Sequence, residues 1–380
     1  MAQAAFHRVH LHLHPLKFGM GCGASKFSGP ITNVVICGGG IVGALAAKAL
    51  SLHPGFKVTV ISPTDYVDFC WATPRHLASP GEVAQQTVKL SEVLKGRATV
   101  VHGAASGVKD SAVTVADGVE VPYDILILAT GAGYSGNAGM LKGSVATAEE
   151  RQREVKEMSE RIGKANKVLV VGAGFTGLEL AGELAEAFNP KPIVLACSQP
   201  ELGVGMPAGA QKQLQAAMKK LSNLEIKYGT KVTPEDELGA DEVFYCTGMQ
   251  PRTDFLKSSS LASVLDDRGF VKTGPTLLAE GTENVFAIGD CASPGAVPHG
   301  QSFYHSSKAI PKVLVPNVVA VALKQKPPRQ CPKVPTGGIV ALGKKTAVGH
   351  FNSTVLPGFV GAKMKAGDLF RGKTRKALVK

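Results

Sequence analysis

The chain has 380 residues, 44% of them hydrophobic and 19% charged, which allows two or three domains with their own cores and excludes an intrinsically disordered protein. Its 42 Lys and Arg against 30 Asp and Glu give a net charge of +12, with the excess concentrated at the two ends. The seven cysteines form no CxxC or CxxxxC pair, which argues against a disulfide framework, a zinc site and a redox-active dithiol.

Residues 1–29 form a basic leader that we predict to be flexible. An acid-free basic leader is typical of organelle transit peptides, so import into an organelle is one expectation. The leader also contains the run MGCGAS starting at Met20, which is a myristoylation pattern with a neighbouring palmitoylation site if translation starts there. Gly21 and Cys22 would then carry lipids and hold the protein at the cytoplasmic face of a membrane. A plain linker before the first strand is the alternative.

A first dinucleotide-binding motif follows the leader. The apolar run 34–37 enters G-x-G-x-x-G at residues 38–43, and an Ala-rich helical stretch comes next. In this motif the first glycine allows a tight turn, the second lets the backbone approach a pyrophosphate, and the third lets helix and strand pack closely. One such motif is weak evidence, because glycine-rich turns after strands are common. Its predicted cofactor-binding residues are Gly38, Gly39, Gly40, Ile41, Val42 and Gly43.

A second copy of the motif occupies residues 172–177, again after an apolar run. Its helix carries Glu179 and Glu183 four residues apart, for which a solvated helix face is one interpretation. Glu179, however, lies in the first turn, close to where a nicotinamide ribose would pass. The predicted ligand-binding residues here are Gly172, Gly174, Gly177 and Glu179. Two motifs in one chain imply two dinucleotides held face to face, the arrangement that passes a hydride from a nicotinamide to a flavin.

Strand ends supply further candidates. Ser62 follows the second strand, where an acid usually binds the adenosine ribose, and its hydroxyl could bind that ribose instead. Asp290 ends a later apolar strand and presents a carboxylate at the ligand-facing edge of the sheet. The predicted cofactor-binding residues of this group are Ser62, Val100, Thr130, Gly131 and Asp290. In the second unit, Cys197 and Ser198 offer neither an acid for NAD nor an Arg for the NADP phosphate, so both cofactors stay open.

The order of these motifs predicts an α/β fold with two Rossmann-like dinucleotide-binding domains, the second inserted in the first, and a small C-terminal region. The expected boundaries are 1–29 for the leader, 30–143 and 252–326 for the first nucleotide domain, 144–251 for the second, and 327–380 for the C-terminal region.

These motifs together resemble those of the FAD-dependent pyridine-nucleotide oxidoreductases. The resemblance spans about residues 31–320 and rests on GxGxxGxxxA at 38–47, ATG at 129–131, GxGxxGxE at 172–179 and Gly-Asp at 289–290. It implies that the first domain binds FAD, that the second binds NADH or NADPH, and that Asp290 contacts the ribityl or phosphate part of the flavin. Arg75 matches an FAD-contacting arginine of one branch.

Within that family the chain resembles most the ferroptosis suppressor group, which is apoptosis-inducing-factor-like and mitochondria-associated. The run KAGDLF at 365–370 is similar to that group's K-x-x-D-L-F. This resemblance implies an antioxidant NAD(P)H:quinone oxidoreductase that reduces ubiquinone or vitamin K-type quinones at a membrane or lipid-droplet surface. It also implies that Glu179 positions the nicotinamide, while Lys365 and Phe370 line the flavin and quinone pocket. From residue type alone, Lys365 is one more charge in a basic tail and Phe370 is a core aromatic.

Two other functions remain as alternatives. A reductase of a small electron-transfer protein would use the basic surface to dock an acidic partner. A nucleic-acid-binding role, as in apoptosis-inducing factor, is weakly supported, because no basic motif has interleaved aromatics and Trp71 is the only tryptophan. We assign no metal site.

Overall fold

The computed structural model of the protein describes residues 30–134, 141–143, 145–293, 300, 304–332, 334 and 336–380. The candidate acylation residues Gly21 and Cys22 lie outside the described residues.

The first sheet is parallel, with strand order β16-β9-β1-β2-β5. Its strands are β1 (Thr32–Cys37), β2 (Phe56–Ser62), β5 (Thr99–His102), β9 (Ile125–Leu128) and β16 (Val285–Ala287). β9 and residues 34–37 of β1 are uninterrupted apolar runs because helices cover both faces of such a sheet. Helix α1 (Ile41–Leu50) leaves β1 and returns the chain to β2. The strand order reverses between β1 and β9, and ligands of open α/β sheets bind at that point.

The second sheet repeats this design with strand order β13-β12-β11-β14, all parallel. Its elements are α4 (Ala148–Lys164), β11 (Val168–Val171), α5 (Phe175–Ala187), β12 (Ile193–Cys197), α6 (Ala208–Met218), β13 (Leu224–Tyr228) and β14 (Glu242–Tyr245). A capping box between Thr147 and Glu150 begins α4. Because β16 follows this sheet in sequence yet pairs with β9, the second domain is inserted in the first, and the predicted fold class is confirmed.

Shorter elements complete the two domains. The strands β6 (Ala105–Lys109), β7 (Ala112–Val115) and β8 (Glu120–Pro122) form an antiparallel sheet, and β3 (Tyr66–Asp68) pairs with β4 (Thr87–Lys89). The two segments that connect the domains pair with each other as antiparallel strands, β10 (Ala132–Gly133) and β15 (Gln250–Pro251). The remaining helices of the described nucleotide domains are α2 (Thr73–Ala78), α3 (Leu90–Leu94) and α7 (Val315–Ala322), the last preceded by a π-helical stretch (His305–Leu314).

The C-terminal region bridges both domains. It consists of an antiparallel sheet, β17 (Gly337–Ala341), β18 (Ala347–Phe351) and β19 (Thr354–Val355), then α8 (Gly358–Gly361), a π-helical turn (Ala362–Ala366) and α9 (Arg371–Val379). Along β17, Ile339 packs into the core of the first domain and Val340 into the core of the second. Lys48 of α1 donates hydrogen bonds to the carbonyls of Ala377 and Leu378 and so fixes the end of α9.

Among the described residues, no helix combines the length and the apolar character needed to cross a bilayer.

Candidate functional site

One cleft of about 580 Å³ lies at the carboxyl ends of β1 and β11 and is lined by both nucleotide domains. Eleven predicted site residues line it: Gly38, Gly39, Gly40, Ile41, Val42, Ser62, Thr130, Gly131, Gly174, Glu179 and Asp290. Gly43, Gly172 and Gly177 shape the turns behind it. Arg75, Val100, Lys365 and Phe370 lie outside its lining.

The first glycine motif has the geometry of a phosphate cradle. Gly38 has a φ of +115°, and a Cβ there would lie 2.3 Å from the Ala129 carbonyl oxygen. A Cβ on Gly43 would lie 1.9 Å from the Gly38 carbonyl oxygen, so only glycine at this position lets α1 pack this closely against the turn after β1. Gly40 instead has open space in front of it, and no side chain caps α1. Uncapped N–H groups at an open helix N-terminus fit the pyrophosphate of a dinucleotide.

The second motif reproduces this geometry at the N-terminus of α5. Gly172 has a φ of +102°, and a Cβ on Gly177 would lie 1.8 Å from the Gly172 carbonyl oxygen. Gly174 faces open space and no side chain caps α5. Since Phe175 and Thr176 line the same cleft as the first cradle, the two dinucleotide sites face each other.

Of the two cofactor-binding residues predicted on strands of the first sheet, Ser62 lines the cleft and Val100 does not. The Ser62 hydroxyl lies on the cleft, where it donates a hydrogen bond to the Thr64 carbonyl and accepts one from the Thr64 amide. Val100 sits within β5 and packs against the core of the first domain. The wall of the cleft lies further along the chain, at Ala104 and Ala105, after β5 has ended.

An ion pair that the sequence did not predict lies inside the cleft. Lys142 Nζ is 3.0 Å from Asp290 Oδ2, and the Gly300 amide donates to Asp290 Oδ1. The ammonium also lies 5.4 Å from the centroid of the Tyr134 ring. Burial lowers the pKa of Lys142, but the Asp290 carboxylate, with smaller contributions from Cys70 and Tyr134, raises that pKa above its usual value. Lys142 follows the ATG turn without a motif of its own, so no local signal marks it.

Glu179 and Lys365 form a buried pair at the cleft. Lys365 Nζ lies 2.5 Å from Glu179 Oε1 and donates a second hydrogen bond to the Ile339 carbonyl at 2.8 Å. The same carboxylate oxygen accepts a hydrogen bond from the Ala341 amide at 2.9 Å. The two side chains are only 9% and 14% exposed. Lys365 therefore reaches the cleft through Glu179, which is the member of the pair that lines it.

Phe370 lies beside the cleft. It is half-buried, has a φ of +60° and packs against the core of the first domain. The preceding Leu369 accepts a hydrogen bond of 2.7 Å from the indole nitrogen of Trp71. Because Trp71 lines the cleft, the run from Lys365 to Phe370 is fastened to the cleft wall at both ends.

Arg75 is directed away from the cleft, and the expected contact with FAD has no support in its position. Its guanidinium, 1% exposed, donates to both carboxylate oxygens of Glu183, at 2.5 and 2.6 Å. It also donates to the carbonyls of Gly343 and Ala366, each at 2.9 Å. These acceptors belong to the second domain and the C-terminal region, and all are buried, so Arg75 joins three parts of the fold.

Three cysteines face the cleft as thiols. Burial raises the pKa of Cys37 and of Cys246 to about 12, with Cys291 adding to the effect on Cys37. Burial likewise raises the pKa of Cys70 to about 11. The six described cysteines are all free.

The family model described as pyridine nucleotide-disulphide oxidoreductase matches residues 32–310. The chain belongs to this family. Its cofactors are accordingly FAD and NADH or NADPH, and it is an NAD(P)H-dependent flavin oxidoreductase. The two facing cradles fit these two dinucleotides.

Similar proteins include two curated relatives and one solved structure. Oxidoreductase ptaL of Pestalotiopsis fici is 29% identical over 364 residues, which are 86% of this chain and 94% of that protein. Ferroptosis suppressor protein 1 of Mus musculus is 25% identical, covering 92% of this chain and 96% of its own length. The sulfide:quinone oxidoreductase of Aquifex aeolicus has a TM-score of 0.70 at 20% identity, with 92% of each chain covered. This structural likeness shows the fold.

Proposed function

We propose that this oxidoreductase passes electrons from NADH or NADPH to a lipid quinone of the ubiquinone or vitamin K type at a membrane surface, and that the quinol product acts as an antioxidant. When bound, FAD accepts a hydride from the nicotinamide and hands two electrons to the acceptor. The observation that carries the proposal is the Lys365 ammonium held on Glu179 at the cleft.

Lys365 suits the chemistry of quinone reduction. Reduction of a quinone to a quinol takes a hydride equivalent from NAD(P)H and one further proton. Negative charge develops on the quinone oxygens during this reduction. An ammonium carries three N–H donors, of which Glu179 and the Ile339 carbonyl use two. The third donor can stabilise an oxygen anion or deliver the proton to it. Solvent then returns the proton to Lys365.

Glu179 has two roles in this proposal. It holds the Lys365 charge in place, and it lies on α5 one turn past the second phosphate cradle, where the nicotinamide ribose would pass. The Ala341 amide, at the end of β17, also donates to this carboxylate and so fixes the orientation of the Glu179 side chain. A substrate bound in the cleft therefore meets a carboxylate that is already oriented and already paired with the Lys365 ammonium behind it.

Two observations support a lipid quinone at a membrane. The similarity to ferroptosis suppressor protein 1 extends over nearly the whole chain. Residues 363–380 carry seven Lys or Arg against one acid, and five of these are exposed: Lys363, Lys373, Arg375, Lys376 and Lys380. Phe359, just before them, is 74% exposed. Basic residues next to an exposed aromatic suit an anionic lipid surface. Acylation of Gly21 and Cys22 would add an anchor at the cytoplasmic face of that membrane.

The test is steady-state oxidation of NADH and NADPH by the purified, FAD-loaded protein with a panel of quinones, with and without anionic liposomes. We expect a yellow protein whose turnover with long-chain quinones rises when liposomes carry them. A ferredoxin-type acceptor serves as the competing arm. Faster turnover with that acceptor than with every quinone would replace our proposal by a reductase of a small electron-transfer protein.

A further inference from the structure

The Arg75 side chain contacts three segments that are far apart in sequence, and each contact lies next to one component of the Glu179–Lys365 pair. On α5, Glu183 follows Glu179 by one helical turn, so both carboxylates lie on the same face. Arg75 Nη2 donates to one oxygen of Glu183 and also to two carbonyls.

The two carbonyls belong to the segments that meet Glu179. Gly343 lies two residues beyond Ala341, whose amide donates to Glu179. Ala366 directly follows Lys365, whose ammonium also contacts Glu179. One guanidinium therefore binds the three segments that carry the Glu179 carboxylate, the Ala341 amide and the Lys365 ammonium.

Charge and hydrogen-bond geometry together favour an arginine opposite Glu183. Burial raises the pKa of Glu183, and the hydrogen bonds and charge of Arg75 oppose this effect without cancelling it. A planar guanidinium can bind a carboxylate with two parallel hydrogen bonds, and here its Nη2 also donates to the two carbonyls. A lysine ammonium in the same place would keep the charge but lose the fork.

We propose that Arg75 is a positioning residue that sets the geometry of the Lys365–Glu179 pair from behind the cleft. The importance of this pair for quinone turnover rests on the proposed function above. The positioning itself is a property of the folded chain and can be measured without any quinone.

The first experiment measures the reactivity of the Lys365 amine. FAD-loaded wild type, Arg75→Lys and Glu183→Gln are treated with a trace amine-labelling reagent, and the labelling rate of each lysine is followed by mass spectrometry. We expect Lys365 to be labelled several-fold faster in both variants, because its ammonium is released from Glu179 and becomes accessible to the reagent. The exposed Lys212 on α6 is the internal reference, whose rate should stay constant.

A general loss of stability is controlled by Val113→Ala, which opens a cavity in the core beside β7, far from Arg75 in sequence. This variant should leave the labelling of Lys365 at the wild-type rate. Wild-type labelling of Lys365 in both Arg75→Lys and Glu183→Gln would overturn the proposal. If Arg75→Lys does not fold, Glu183→Gln alone decides, since it loosens the same guanidinium from the opposite side.

The second experiment is a double-mutant cycle on quinone turnover with Arg75→Lys and Lys365→Met. If Arg75 acts through Lys365, Arg75→Lys lowers kcat about 10-fold in the wild-type background and has little further effect once Lys365 is Met. Independent, multiplying effects would overturn the proposal. A wild-type protein without quinone turnover would defeat the proposed function but leave the labelling experiment, and the inference, intact.

Discussion

Lys142 and Asp290 face each other inside the cleft, with the lysine ammonium 3.0 Å from the aspartate carboxylate. Asp290 comes from the strand-end turn after β16, and Lys142 comes from the connection that leads into the second domain. FAD carries two phosphate charges, so a carboxylate in its site repels it unless a cation compensates. Lys142 is such a cation, and it lies in the same cleft as Asp290.

Lys142→Gln should therefore weaken FAD binding about 10-fold, or about 1.4 kcal/mol, because Asp290 would face the cofactor uncompensated. Titration of the apoprotein with FAD, followed by the quenching of flavin fluorescence, measures the change. Lys142→Arg keeps the charge and is the matched control, with an expected affinity close to wild type. A Lys142→Gln protein with unchanged affinity would show that Asp290 needs no compensation.

Substitution of the third glycine of each motif should affect the two cofactors separately. Gly43→Ala should give a colourless protein that cannot be reconstituted with FAD, because its Cβ would lie 1.9 Å from the Gly38 carbonyl oxygen. Gly177→Ala should stay yellow but require at least 10-fold more NAD(P)H for half-maximal turnover, because the same clash falls in the second cradle.

Visible absorbance and NAD(P)H saturation curves measure both effects. The control is Gly163→Ala in α4, where a Cβ meets nothing and alanine should stabilise the helix by up to ~1 kcal/mol. Loss of flavin from Gly177→Ala, with retention by Gly43→Ala, would contradict the assignment of the two domains.

Lys365→Met should lower quinone turnover by about 10- to 100-fold, since it removes the ammonium that we propose donates to the quinone oxygen. NAD(P)H binding should change much less, because the phosphate cradles are untouched. Stopped-flow kinetics separate the reductive step from the step with quinone. Lys212→Met, at an exposed position on α6, should behave as wild type in both steps. An equal loss in both steps for Lys365→Met would refute a role confined to the acceptor.

His76 should make folding sensitive to acid. Burial lowers its pKa from 6.5, the hydrogen bond with Gln86 opposes this, and the Arg371 charge adds to the lowering. The Arg371 guanidinium donates to its Nε2 at 2.7 Å, so the buried ring is neutral. Since the unfolded chain takes up the proton first, this contribution to stability is complete above pH 6.5 and is lost as the pH falls through the lowered pKa.

The measurement is the melting temperature between pH 7.5 and pH 5 for wild type and His76→Gln. Glutamine keeps one donor and one acceptor but does not titrate, so its melting temperature should fall less steeply below pH 6.5. His102→Gln, at an exposed position, should retain the wild-type slope. Parallel curves for wild type and His76→Gln would remove His76 as a source of acid sensitivity.

Local pattern was enough to predict the two cradles, because each depends on a strand, a turn and a helix that are contiguous in sequence. Glu179 could be predicted in the same way, since its distance from the motif fixes its place on α5. Its pairing with Lys365 could not, because that contact joins residues 186 positions apart. It exists only because β17 packs against α5 and the π-helical turn at 362–366 packs against β17.

Arg75 and Val100 show where sequence reasoning was insufficient. The motif around Arg75 suggested a ligand, yet its acceptors, Glu183, Gly343 and Ala366, are brought together only by the packing of three segments. Val100 lies on the expected strand, but β5 continues to His102 and the chain reaches the cleft only after it. Both depend on where the chain meets distant parts of the fold.

The protonated cysteines of the cleft bear on how the enzyme would survive the quinone substrate that we propose for it. Quinones are electrophiles, and a thiolate adds to them irreversibly, whereas a thiol is far less nucleophilic. With pKa values of about 12 for Cys37 and Cys246 and about 11 for Cys70, hardly any thiolate exists at neutral pH. Sulfur can thus fill space around the cleft without becoming a target for arylation, and turnover need not end in self-inactivation.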